Sequence, residues 1–112
     1  MSKEMSIIES FGDKDYIFKL NYKTMIIVQN EIDAGPLVIL KSILNGTFKV
    51  EHISTILQWA LVGGGLTANE ALKLVKIYVQ DMPINDNLEL AMKIMSAAIY
   101  GREENSKSNE KS

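Results

Sequence analysis

Bulky apolar side chains appear near the start of the chain in two short runs separated by a polar break. In MSIIESFGDKDYIFKL the runs carry Ile8 and Phe11, then Tyr16, Phe18 and Leu20, on either side of GDKD. Runs rich in β-branched and aromatic residues, bounded by turn formers, predict a β-hairpin. In the second run Tyr16, Phe18 and Leu20 alternate with Ile17 and Lys19, so one face packs inward while Lys19 stays in water. A two-stranded hairpin is marginal alone, so the partner for that face must be the rest of the chain.

From Asn21 onward the apolar positions change to helical spacing. Asn21 is placed to cap a helix over residues 22–34, because its side-chain oxygen can accept from a first-turn amide. Gly35 is expected to end that helix in a left-handed conformation, and Pro36 to open a second helix over 36–45. NGT at 45–47 breaks it. Val50, Ile53, Ile56, Leu57, Ala60 and Leu61 then recur at spacings of three and four, the signature of an amphipathic helix.

The stretch ALVGGGLTANEA, residues 60–71, reads as a helix stop, a tight reversal and a new start. Thr67 and Glu70 form the T-x-x-E capping box, in which each side chain satisfies the other's backbone amide. The helix that follows is expected to run to about Met82, where Pro83 discourages continuation. Asp86 and Glu89 repeat the cap pattern before LELAMKIMSAAIYG, a well-buried last helix stopped by Gly101. The remainder, REENSKSNEKS, offers no apolar surface to offset ordering entropy, so residues 102–112 are expected to form a mobile polar tail. Residues 1–101 are expected to form a single domain. The fold class is therefore α+β, mainly α: an N-terminal β-hairpin packed on a compact bundle of about five helices.

Composition narrows the function classes. The 112 residues are 46% hydrophobic and 23% charged, close to the soluble globular average. No apolar run approaches the roughly 20 residues of a membrane span, and the first ten residues lack a signal-peptide core, so a cytoplasmic location is expected. With no cysteine and one histidine, thiolate zinc sites and His-pair metal motifs are not available. The net charge of −2 gives no global attraction to nucleic acid. Arg102 is the sole arginine, which removes most bidentate guanine contacts from a helix-turn-helix reading.

The glycines themselves do not make a phosphate loop. A Walker loop needs a lysine and a Ser or Thr at fixed positions, whereas Leu66 and Thr67 follow Gly65 and the first lysine is Lys73. The dinucleotide fingerprint fails after its first two glycines. His52 and Glu51 are neighbours that do not face one another on a helix. Asp13, Asp15, Asp81 and Asp86 all sit where turns and caps explain them. No catalytic, cofactor-binding or metal residue is assigned, and no enzyme activity is expected.

The order of segments carries more than any motif. A hairpin entering LNYKTMIIVQNEIDAGPLVILKSILNG, then VEHISTILQWALVGGGLTANEALKLV, then AMKIMSAAIYG, resembles the tail assembly chaperone family of gene transfer agents and long-tailed phages, some members of which are labelled tail tube proteins. The matching features are Glu31 and Gly35, Leu37 to Leu44, Ile53 to Leu61, Gly63 to Gly65, Thr67 to Glu70 and Ala91 to Gly101. A tube subunit would be β-rich and self-assembling, while this chain patterns as helical, so the chaperone is the better match. The resemblance implies a non-enzymatic protein of the bacterial host cytoplasm that binds and solubilises the tape-measure protein, helps recruit tail tube protein, and is absent from the finished virion. Self-association stays open as a further mode, and no cofactor is implied.

Candidate partner-binding residues are Trp59, Leu66, Met82 and Tyr100, large side chains near helix ends or turns. For Trp59 a core position is the competing reading. Met25, Met92 and Met95 fall in apolar helical runs, where gap-filling competes with a pliable binding surface. The alternative function is a small helical adaptor or DNA-binding regulator unrelated to virion assembly.

Overall fold

In the computed structural model, which describes residues 3–103, the polar break after Phe11 closes as a two-residue turn. Gly12 takes a φ of +66° there, a conformation a hairpin turn needs and glycine adopts without cost. Strand β2 (Ser6–Phe11) and β3 (Lys14–Lys19) pair antiparallel, with Ile7 opposite Phe18 and Ile8 opposite Ile17. Ile7, Phe11 and Phe18 are buried, whereas Ile8 and Ile17 form an exposed cross-strand pair on the other face.

Helix α1 (Tyr22–Ile32) starts as expected, with Asn21 Oδ1 accepting from the Thr24 amide at 2.9 Å. Its end differs. Asp33, at φ +66°, takes the left-handed position, while Gly35 is extended at φ −76°. The residue before a proline is pushed towards extended backbone, so Gly35 serves the entry to α2 (Pro36–Asn45) and the reversal falls two residues earlier.

Helix α3 (Val50–Gly63) lies at the centre, packed on β3, α1, α4 (Ala68–Val75) and α5 (Leu88–Tyr100), while α2 packs on α5. Its stripe is buried from Ile53 through Leu61, but Val50, the first residue of the pattern, is exposed. A cluster of buried side chains, including Ile7, Phe18, Val28, Ile56, Leu61, Val75 and Met95, joins the hairpin to the helices. Met95 is fully buried within this cluster, and Met25 and Met92 are half-buried against the cluster.

The glycine triplet does more than reverse the chain. A Cβ on Gly63 would overlap the carbonyl oxygen of Lys19, and one on Gly64 the carbonyl oxygen of Ile17. The close approach is between the end of α3 and the backbone of β3, not between α3 and α4. Gly65, at φ +122°, then makes the turn. Thr67 and Glu70 close the capping box of α4: the Thr67 amide donates to Glu70 Oε1 at 2.9 Å and the Glu70 amide to Thr67 Oγ1 at 3.1 Å.

Beyond Val75 the chain does not continue as α-helix to Met82. Residues Lys76–Gln80 widen into a π-helical turn. A 3₁₀ turn, Ile84–Asn87, then leads into α5, so the cap expected from Asp86 and Glu89 is not made. Arg102 and Glu103, assigned to the polar tail by the sequence, instead form strand β4 against β1 (Lys3–Glu4), and Arg102 Nε donates to the Ser6 carbonyl at 2.7 Å. Backbone pairing orders them where side-chain burial would not. The tail expected beyond them, from residue 104, lies outside the described residues.

Candidate functional site

Two segments that the sequence pattern leaves unconnected meet at a groove of about 270 Å³. One wall is the first turn of α3, with Val50, Glu51, Ile53 and Ser54. The other is the π-helical turn and the residues after it, with Val79, Gln80, Met82 and Ile84. Ile53 and Val79 form the buried floor, while Val50, Met82 and Ile84 are each about half exposed, at 53%, 44% and 52%.

The shape of the second wall follows from local hydrogen bonding. A π-turn carries one residue more than α-helix geometry accommodates, and such turns cluster at functional sites. Here the Asp81 amide reaches back to the Lys76 carbonyl at 3.2 Å. The Tyr78 carbonyl is taken by Asn87 Nδ2 at 2.9 Å, and the Asn87 side chain is buried. That bond spans the loop and fixes its curve, since a buried amide left without a partner costs about 1–3 kcal/mol. The Tyr78 ring meets Phe11 edge-on at 5.7 Å and lies against Gly12, so the hairpin tip braces the turn from behind.

The sequence-selected side chains do not converge. Met82 is on the groove's lip. Leu66, half-buried, lines a separate shallow depression with Lys14, Tyr16, Glu70, Lys73 and Leu74. Tyr100 stands exposed at the end of α5. Trp59 is half-buried against the core, and its indole N–H is buried without a hydrogen-bond partner among the described residues. Sequence reasoning missed Val50 and Ile84. Val50 continues the α3 stripe, so nothing in the spacing separates it from the core positions, and Ile84, between Pro83 and the polar run Asn85–Asn87, belongs to no periodic stripe.

None of the titratable groups with shifted pKa values is itself a lining residue of the groove, although His52 stands between Glu51 and Ile53 on one wall. Burial lowers His52 below its ordinary 6.5, against the opposing pull of Glu51, and its Nδ1 accepts from the Lys49 amide at 3.3 Å. Glu70 is lowered from 4.5 by the hydrogen bonds from Thr67. Within the groove, Ser54 and Glu51 share a wall without hydrogen-bonding each other among the described residues. The lining offers apolar contact and one carboxylate, a surface suited to holding a side chain.

Among the described residues no helix is long and apolar enough to cross a membrane. The family model described as phage tail tube protein, GTA-gp10, matches residues 6–101. No curated protein and no solved structure matches the chain.

Proposed function

The chain belongs to the phage tail tube protein family GTA-gp10, a family of tail structure or assembly, and from that premise we propose that it acts as a tail assembly chaperone. In this reading it binds the tape-measure protein, keeps that long chain soluble, and helps recruit tail tube subunits during tail morphogenesis. It does so without catalysis, in the bacterial host cytoplasm, and leaves before the virion is complete.

The observation that carries the reading is architectural. A tube subunit is expected to be β-rich and to polymerise through its sheets, whereas this chain is mainly helical and, among the described residues, its sheets are two-stranded ribbons. Its exposed apolar side chains lie in good part on helices and helix ends, Leu37 and Leu44 on α2 and Val50 on α3 among them. Such a surface suits transient hydrophobic shielding of another chain.

Co-expression with the tape-measure protein from the same locus tests this. The expected result is a soluble complex that co-purifies, and tape-measure protein that precipitates when expressed alone. Tape-measure protein that precipitates while this chain stays folded and unbound would overturn the reading and favour an adaptor with another partner. Detection of the chain in purified particles would overturn its proposed absence from the virion.

A further inference from the structure

Three exposed apolar side chains from two segments, Val50 on one and Met82 and Ile84 on the other, converge on the groove beside α3. At about 270 Å³ it falls below the roughly 300–1,000 Å³ of ordinary small-molecule sites. Its size suits one or two side chains protruding from another protein. One wall is the first turn of α3, the other the π-helical turn with the bend at Met82 and the start of the 3₁₀ turn, and no strand among the described residues lines the groove. Strand addition therefore has no template there, and helix-in-groove docking is the mode that fits.

Charge indicates what kind of helix. Glu51 is in one wall, Asp81 lies between the lining residues Gln80 and Met82, and Asp86 follows Ile84 by two positions. All three carboxylates are exposed, and none is in an ion pair among the described residues. Lys49 and Lys76 are the lysines of the same two segments, so carboxylates outnumber them. Burial lowers the pKa of His52, which disfavours its cationic form and so does not offset these carboxylates.

We infer that the groove receives an amphipathic helix of the tape-measure protein whose apolar ridge is flanked by Lys or Arg. Large side chains spaced three and four apart rest on Val50, Met82 and Ile84, and the basic flanks face Glu51 and Asp81. The Asn87 bond to Tyr78 and the ring contact from Phe11 hold the lip in shape before binding, which reduces the ordering cost of association. The inference rests on the chaperone reading and narrows it to one surface and one class of segment.

Overlapping peptides covering the tape-measure protein of the same locus, measured by fluorescence anisotropy against the full chain, test it. Peptides patterned as basic amphipathic helices are expected to bind, and added salt to weaken them. The double variant Met82→Gln with Ile84→Gln is expected to weaken binding about tenfold. Val50→Thr, nearly isosteric and exposed, gives a second test if the double variant folds poorly. Glu51→Lys with Asp81→Lys is expected to weaken the basic peptides and favour acidic ones with the same ridge. Peptide binding and tape-measure retention that none of these variants changes would overturn the groove and leave the chaperone reading standing. Peptides that bind without regard to charge would overturn the basic flank. A wild-type chain that holds neither the tape-measure protein nor any peptide would overturn both.

Discussion

The carbonyl oxygen of Lys19 occupies the space in which a side chain on Gly63 would begin. Gly63 is helical, where alanine is ordinarily favoured by about 1 kcal/mol. Here the obstacle is backbone, which cannot rotate away as a side-chain tip can. Gly63→Ala is therefore expected to destabilise the fold by about 1–3 kcal/mol or more, read from urea denaturation. Gly64→Ala is expected to behave alike because of Ile17, and a Gly63→Ala chain as stable as the parent would refute the contact.

Thr67 and Glu70 give a prediction with a pH signature. Thr67→Ala is expected to cost about 1 kcal/mol through loss of the cap. The Thr67 hydrogen bonds hold Glu70 below 4.5, so the folded state favours the carboxylate. Its contribution is fully present above pH 4.5 and is lost as pH falls through the lower folded value. Melting curves of the parent and Glu70→Gln should thus differ at neutral pH and converge in acid. A gap that widens in acid would contradict this sign.

For Trp59 two substitutions separate packing from its N–H. Trp59→Phe keeps ring contact and removes a buried donor that has no partner among the described residues, so its cost should stay within about 1 kcal/mol. Trp59→Ala, which empties a half-buried site, is expected to cost about 2–3 kcal/mol. If Trp59→Ala loses tape-measure retention while its melting temperature is unchanged, the indole is a partner contact rather than part of the core.

Arg102 ties the two ends of the described chain together. Ending the chain at Gly101 removes the pairing of β4 with β1 and the bond from Arg102 to Ser6, both at the surface, and is expected to cost about 1 kcal/mol. Ending it after Glu103 should spare that cost. Calorimetry of the two truncations distinguishes them, and equal melting temperatures would show that the short ribbon contributes nothing.

The elements legible in the sequence are those whose signals are local. Asn21, Thr67 and Gly12 act within a few residues of themselves, and periodicity alone located the stripe from Ile53 to Leu61. What stayed hidden depends on distant partners. Asn87 reads as one more polar turn residue, yet its side chain is buried because Tyr78 offers it a free carbonyl. The overlap of Gly63 with Lys19 joins positions that no spacing rule relates. Val50 carries the same pattern as the core residues that follow it, yet it is exposed at the groove. Of the groove, Met82 alone was anticipated.

The π-helical turn at Lys76–Gln80 also has a consequence for how the chain tolerates insertion and deletion. Such a turn is an α-helix holding a surplus residue, and successive residues in a regular helix are offset by about 100°. Removing one residue from this turn would let it relax to regular geometry while swinging everything downstream, Met82 and Ile84 included, to a new heading. The surplus residue thus acts as a phase-setter. A chain one residue shorter in this turn would keep α4 intact and aim the residues that follow it elsewhere.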